Sequence, residues 1–268
     1  MRKSLPILLA LFLAACSGVH KKGGYFEDDG PPKRASVDIA SIDDAVPRAE
    51  PLSEYGNRPY VVHGRAYYPL KDANGYKERG IASWYGKKFH GRRTSSGEPY
   101  DMYAMTAAHK TLPLPSYVQV QNLKNGRSVI VRVNDRGPFI DNRIIDLSFS
   151  AATKLGIVGT GTGIVQVAVV GAGTTEFSEP TPAPSGRTHA PLRLYLQLGA
   201  FTNHENADNL RSRLRPAQLG PIFITSEAQG SVRMFRVRVG PLASVAESDR
   251  LVQRAMEYGI ADAHIVIE

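Results

Sequence analysis

Between residues 117 and 170 the chain reads as strands. Tyr117-Val118-Gln119-Val120-Gln121 alternates apolar with polar, Asn125-Gly126 supplies a tight turn, and Ser128 to Val133 alternates on the way back. That is the pattern of a hairpin with one buried face. Gly163 to Val170 is a further β-rich run, and a short helix is expected over Ser148 to Leu155, capped by Ser148 and ended by Gly156. Many short strands, few helices and frequent Gly and Pro predict a small β-barrel or sandwich over residues 80–172. Residues 59–79, with Val61, Val62, Tyr67, Tyr68 and Leu70, form an ordered lead-in.

The last block, residues 191–268, carries an internal repeat. Gly199, Asp208 and Leu210 recur as Gly240, Asp249 and Leu251, each 41 residues on. Each half predicts strand, helix, strand, giving βαββαβ. Ala207, Leu210 and Leu214 share one face of the first helix, and Ser244 with Glu247 makes a capping box for the second. Leu194, Leu196 and Leu198, with Phe235, Val237 and Val239, point to the helices. Tyr195, Gln197, Met234, Arg236 and Arg238 are left on the open face of the sheet. Residues 16–58 are rich in Gly, Pro, Ser and charge and predict a flexible tether. Residues 173–190, rich in Pro, Ser and Thr, predict a second, semi-rigid linker.

The N-terminus changes where such a protein works. Arg2 and Lys3 precede an apolar run from Leu5 to Ala15 that ends in Leu13-Ala14-Ala15-Cys16. This is the pattern of an export signal over residues 1–15, too short for the roughly 20 apolar residues that span a bilayer. Cys16 is the only cysteine. The Leu-Ala-Ala-Cys ending resembles a lipobox, which implies cleavage before Cys16, lipidation of Cys16 and a membrane anchor. Ser17 then implies the outer membrane, facing the periplasm. The formal charge of the 268-residue chain is +8, and losing Arg2 and Lys3 with the leader leaves +6. In a cytoplasmic protein that charge suggests nucleic acid. Export excludes nucleic acid and points to anionic wall polymer or lipid headgroups. With Cys16 acylated, no thiol remains for a disulfide, a metal or nucleophilic catalysis.

The candidate chemistry lies in the middle region. Alternation along Ser128 to Asp135 puts Val129, Val131, Val133 and Asp135 on one face, and Ile130, Arg132 and Asn134 on the other. Asp135 thus ends an apolar stripe at the rim of a barrel. Desolvation there favours the neutral carboxyl, the state a general acid needs, while an inward Arg136 opposes it. The rival reading is that Asp135 simply caps the turn at Asn134-Asp135-Arg136-Gly137-Pro138, a common role for Asp, and periodicity alone favours it. Glu98, Asp101 and His109 read on their own as loop and surface groups. Trp84, Tyr85, Tyr100 and Tyr103 offer either sugar-stacking rings or core packing.

Four segments occur in order: Gly80-Ile81-Ala82-Ser83-Trp84-Tyr85-Gly86, Thr94-Ser95-Ser96-Gly97-Glu98-Pro99-Tyr100-Asp101, Thr106-Ala107-Ala108-His109 and Val133-Asn134-Asp135-Arg136-Gly137-Pro138. Together they resemble the rare lipoprotein A (RlpA) family. The resemblance implies a mostly β plus α+β protein with a six-stranded double-psi β-barrel that cleaves the glycan strands of peptidoglycan. It implies Asp135 as the catalytic aspartate, with Glu98, Asp101 and His109 in support, and no metal or cofactor. Tyr195 to Phe201 with Phe235 to Pro241 resembles a SPOR domain, implying glycan strands stripped of stem peptides as ligand and the division septum as location. Tyr195, Gln197, Arg236 and Arg238 are then the glycan-binding groups. The expected enzyme is a lytic transglycosylase, forming 1,6-anhydromuramic acid ends. Its rivals are an expansin-like wall-loosening protein without catalysis, and a structural tether between membrane and wall.

Overall fold

Residues 29–32, 37–140, 142–171, 192–230 and 232–268 are described by the structure, a computed structural model. The export signal, Cys16 and the 173–190 linker lie outside the described residues. Strands β1 (Tyr60–Val62) and β2 (Arg65–Tyr67) make a small hairpin. They precede β3 (Lys77–Trp84), β4 (Thr106–His109), β5 (Ser116–Asn122), β6 (Ser128–Asp135), β7 (Arg143–Leu147), α1 (Phe149–Leu155) and β8 (Gly163–Val169). The C-terminal block follows as β9 (Leu194–Phe201), α2 (His204–Arg213), β10 (Ile222–Gln229), β11 (Val232–Leu242), α3 (Val245–Glu257) and β12 (His264–Ile267).

Six strands close into a barrel in the order β3-β7-β4-β6-β5-β8. The pairs β3/β7 and β4/β6 are parallel, and the rest are antiparallel. Alternation fills the interior with Ala82, Val118, Val120, Val131, Val133, Ile145, Leu147, Val165 and Val167, all fully buried. Each Val or Leu hidden in this way contributes about 1.5–3 kcal/mol. The β5–β6 hairpin turns at Asn125-Gly126 as expected. Helix α1 also follows its sequence signals. Ser148 accepts the Ala151 N–H, and Gly156 adopts the left-handed conformation, φ 74°, that ends the helix.

The C-terminal domain is a four-stranded sheet, β10-β11-β9-β12, backed by α2 and α3. Leu196, Ala207, Leu214, Val237 and Ala255 are fully buried between sheet and helices. The Ser244 hydroxyl accepts the Glu247 N–H, and the Glu247 carboxylate accepts the Ala243 N–H. This domain docks on the barrel. Ile81 of β3 is fully buried within the C-terminal core cluster, and Ile164 of β8 packs against the same cluster. Arg143 of β7 holds Asp249 of α3 through two bonds of 2.9 and 2.6 Å.

Composition predicts a free tether through residue 58, and the structure differs over its second half. Residues 37–58 run along the barrel. Ala45 N–H donates to the Ile130 carbonyl at 3.0 Å, and Ser53 N–H donates to the Leu114 carbonyl at 2.7 Å. Ile39, Ile42 and Ala45 pack against the barrel core. These few apolar side chains gain burial from a surface formed elsewhere in the chain, which local composition does not register. Among the described residues no helix is long and apolar enough to cross a membrane.

Candidate active site

Alternation in sequence aligns Asp135 with Val133, and the strand pairing corrects this. Val133 pairs with Ala107, but the next pair is Asp135 with Ala108, so β6 carries one extra residue, Asn134. That bulge turns Asp135 off the interior stripe at the strand end. Ala108 pairs on its other side with Asp146, and Asp146 pairs with Ser83. One rung therefore crosses four neighbouring strands as Asp135, Ala108, Asp146 and Ser83.

Asp135 is gripped on one oxygen. Its Oδ1 accepts the Ser95 N–H at 2.8 Å, the Ser95 hydroxyl at 2.7 Å and the Arg136 N–H at 2.7 Å. No described residue donates to Oδ2, so that oxygen is the one available to a ligand. Ser95 sits in a tight turn closed by Thr94 N–H on the Glu98 carbonyl at 2.8 Å. Ser96 N–H ties the same turn to the Asn134 carbonyl at 3.2 Å. The Arg136 guanidinium turns away from the carboxylate. It donates to the carbonyls of Gly56, His109 and Leu112 and to Asn57.

Glu98 belongs to the same turn and is held as an anion. It accepts from Arg132 at 2.7 and 2.9 Å, from the Ser96 hydroxyl at 2.9 Å and from Asn134 at 3.2 Å. Burial works to raise its pKa, but these donors outweigh it and leave the carboxyl below its ordinary value. Such a group supplies negative charge and does not supply a proton.

His109 lies close in the chain fold but its ring points elsewhere. The imidazole is buried, with Nδ1 accepting the N–H groups of Leu112 at 2.9 Å and Thr111 at 3.1 Å. The ring proton therefore sits on Nε2, which meets the Tyr76 hydroxyl at 2.9 Å. Tyr76 donates in turn to Glu78. Burial, with the Arg136 and Lys110 cations nearby, pushes the His109 pKa down to about 3. Asp101 is not brought to Asp135 by any contact. Its side chain accepts the Tyr103 N–H at 2.9 Å and lies 3.6 Å from His90.

Of the expected sugar-facing rings, Trp84, Tyr85 and Tyr100 are core. They are 3%, 8% and 2% exposed. Tyr85 stacks on Tyr100 at 4.1 Å, Trp84 packs on Phe149, and half-buried Tyr103 sits edge-on to Phe149. The aromatic wall beside the acid comes instead from the lead-in hairpin. Tyr60 stacks on Tyr67 at 5.1 Å, Phe139 meets both edge-on, and Arg136 lies 5.9 Å over Tyr60. Its outlying position before the barrel hides it from a motif-based reading, though Phe139 directly follows the Asp135 motif by two residues past Gly137.

Asp146 is a second group the sequence reading did not single out. The only local sign is a carboxylate between Ile145 and Leu147 in an apolar strand. It bonds the Ser83 hydroxyl. Burial pushes its carboxyl up to about 6 from 3.8, against the pull of Ser83, Arg143 and Lys110, and the Asp135 charge adds to the rise. The folded state then binds the proton more tightly than the unfolded chain. Stability from this group falls as pH rises from about 4 to about 6, by about 3 kcal/mol. In thermal melts, Asp146→Asn should therefore gain on the wild type across that window. A constant difference between the two proteins contradicts the assignment.

On the C-terminal sheet, Gln197 pairs with Arg238 as strand neighbours, but the face is less open than alternation implies. Tyr195, Gln197 and Arg238 are buried, and Arg236 is half-buried. Arg238 donates to Glu268 at 2.6 Å and to Gln197 at 3.3 Å, while Arg236 pairs with Glu227. Two carboxylates thus occupy the guanidinium groups, and an anionic or hydroxyl-rich ligand has to displace them. Among the described residues no cluster of His, Cys, Asp and Glu is arranged to hold a metal ion.

Comparison with known proteins gives the same division of the chain. Residues 77–169 match the family described as lytic transglycolase, and residues 192–266 match the SPOR domain. A protein of Neisseria meningitidis serogroup A, named endolytic peptidoglycan transglycosylase RlpA, is 59% identical over 248 residues, spanning 91% of this chain and 89% of its own. A protein of the same name from Pseudomonas aeruginosa is 40% identical over 306 residues, again spanning 91% and 89%. Among solved structures, the RlpA SPOR domain of Pseudomonas aeruginosa aligns at 33% identity over 27% of this chain and 96% of that one, with a TM-score of 0.26.

Proposed function

The chain belongs to the RlpA family, and from that premise we propose that it is an endolytic peptidoglycan transglycosylase in which Asp135 moves the proton. The observation that carries this is the one-sided grip on Asp135. Three donors fix Oδ1 while Oδ2 stays open at the strand end. A protonated Oδ2 is set to donate to the glycosidic oxygen as the C1–O bond breaks. Glu98, kept anionic by Arg132, supplies charge to an oxocarbenium-like centre. The muramic acid C6 hydroxyl then attacks C1, and the Asp135 carboxylate takes its proton. The acid is regenerated and a 1,6-anhydro end remains.

A single acid–base group fits the spacing of the rung. Asp146 lies two strands from Asp135, about 10 Å between backbones. It is therefore not placed as a nucleophile at about 5 Å from the acid. Asp101 and His109 act on this reading through the shape of the surrounding loops, and Tyr60, Tyr67 and Phe139 flank the sugar.

The C-terminal sheet, through Tyr195, Gln197, Arg236 and Arg238, is the glycan-binding surface. Its ligand is peptide-free glycan, which concentrates the enzyme at the division septum. Lipidated Cys16 anchors the chain in the outer membrane. The test is a digest of sacculi stripped of stem peptides, with mass spectrometry of the products. Anhydro-muramic ends are expected, and removal of residues 191–268 should preserve them while dispersing a septal fluorescent fusion. Binding without any new chain ends gives the expansin-like alternative instead.

A further inference from the structure

Two arginines flank the catalytic aspartate in sequence, and both are held in part from outside the barrel. Arg132 donates Nε and Nη2 to Glu50 at 2.9 and 2.8 Å, and it donates Nη1 to Glu98. Arg136 donates to the Gly56 carbonyl at 2.9 and 2.8 Å and to Asn57 at 3.1 Å. Glu50, Gly56 and Asn57 all precede the residues matched by the barrel family. We propose that the strap over residues 44–57 is part of the catalytic unit, with Glu50 and Gly56 as positioning residues for the turn that grips Asp135. This rests on the reading of Asp135 above.

Three contacts define the coupling. At its start the strap is fastened to β6, where Asp44 accepts the Ile130 N–H at 2.8 Å and Lys154 reaches both Asp44 and the Ile42 carbonyl. In the middle, Glu50 divides the Arg132 fork. One edge of the guanidinium is committed to the strap, so Glu98 receives only Nη1. Glu50 is well suited to this, because the Arg132 bonds lead the effects that hold its pKa down to about 2. At the end, Gly56 backs directly on the turn. A Cβ there would stand 2.9 Å from the Ser95 carbonyl oxygen and 3.0 Å from the Ser53 hydroxyl. Ser95 is the residue whose N–H and hydroxyl both hold Asp135. The glycine is required by close approach to backbone rather than by a turn.

Removing the Glu50 charge leaves one neutral acceptor in place of two charged oxygens, which loosens the strap's hold on the Arg132 fork and lets it turn toward Glu98. The Glu98–Arg132 pair tightens, and the Ser95–Ser96 turn moves with it. Glu50→Gln should therefore lower kcat on peptide-free glycan about tenfold per folded molecule, with glycan affinity unchanged, and Glu50→Asp should recover part of the loss. Gly56→Ala should give a similar kcat loss by displacing Ser95. A readout independent of turnover is the carboxyl NMR titration of Glu98, which should move to lower pH in Glu50→Gln. A wild type that makes no anhydro ends defeats the functional reading but leaves this titration standing. An unmoved Glu98 titration, or activity per folded molecule equal to wild type in both Glu50→Gln and Gly56→Ala, overturns the strap's role.

Discussion

Asp135→Asn is expected to cut the yield of anhydro-muramic ends from peptide-free glycan by about 10²–10⁴-fold, the usual contribution of a positioned general acid. The change is close to isosteric. The Asn carbonyl oxygen can still accept from Ser95 and from the Arg136 N–H, so the turn and the strand end keep their geometry. What is lost is a group able to release and retake a proton on the open side. No neighbour substitutes for it. Glu98 is committed to Arg132 as an anion, and the His109 imidazole faces Tyr76. Sedimentation with stripped sacculi should show undiminished wall binding, since the C-terminal sheet is untouched. A variant that retains more than a tenth of wild-type cleavage places the proton donor elsewhere.

His109→Ala should lose activity by a different route. The imidazole satisfies two backbone N–H groups and the Tyr76 hydroxyl inside the protein. Truncation strands the two N–H groups, leaves the Tyr76 hydroxyl with Glu78 alone, and opens a cavity in a region that is otherwise close-packed. Together these cost about 3 kcal/mol, which lowers the melting temperature by roughly 6–12 °C for a chain of this size. The effect also has a pH signature. Because the folded-state pKa is depressed to about 3, the histidine's contribution is complete above pH 6.5 and is lost as pH falls toward 3. The alanine protein should lack that acid-side slope. Calorimetry across pH 4 to 7 reads both quantities, and an unchanged melting temperature alongside lost cleavage returns His109 to the chemistry.

Much of the architecture was legible in local pattern because local forces set it. The Asn125-Gly126 hairpin, the Ser148 and Gly156 caps and the 41-residue repeat all depend on residues close in sequence. The placement of Asp135 depends on something alternation cannot register, a single extra residue in β6 relative to β4. The rings of Trp84, Tyr85 and Tyr100 were ambiguous because an aromatic side chain suits a core and a sugar equally well. Only the closed barrel decides for the core. The strap and Asp146 were invisible for a shared reason. Glu50 meets Arg132 across 82 residues and Ser83 meets Asp146 across 63, and one sequence carries no mark of such pairings.

The ion pair between Arg143 and Asp249 has a consequence for how a polymer is processed. With Ile81 buried beside it, the C-terminal sheet is tied to the barrel, and on the proposed activity the surface that holds a wall strand and the strand end that carries Asp135 keep one separation and one polarity. A captured strand is then presented at one offset from the point of capture. Under the proposed activity the enzyme works as a gauge as well as a blade, and its fragments should cluster around a preferred length instead of following a random distribution.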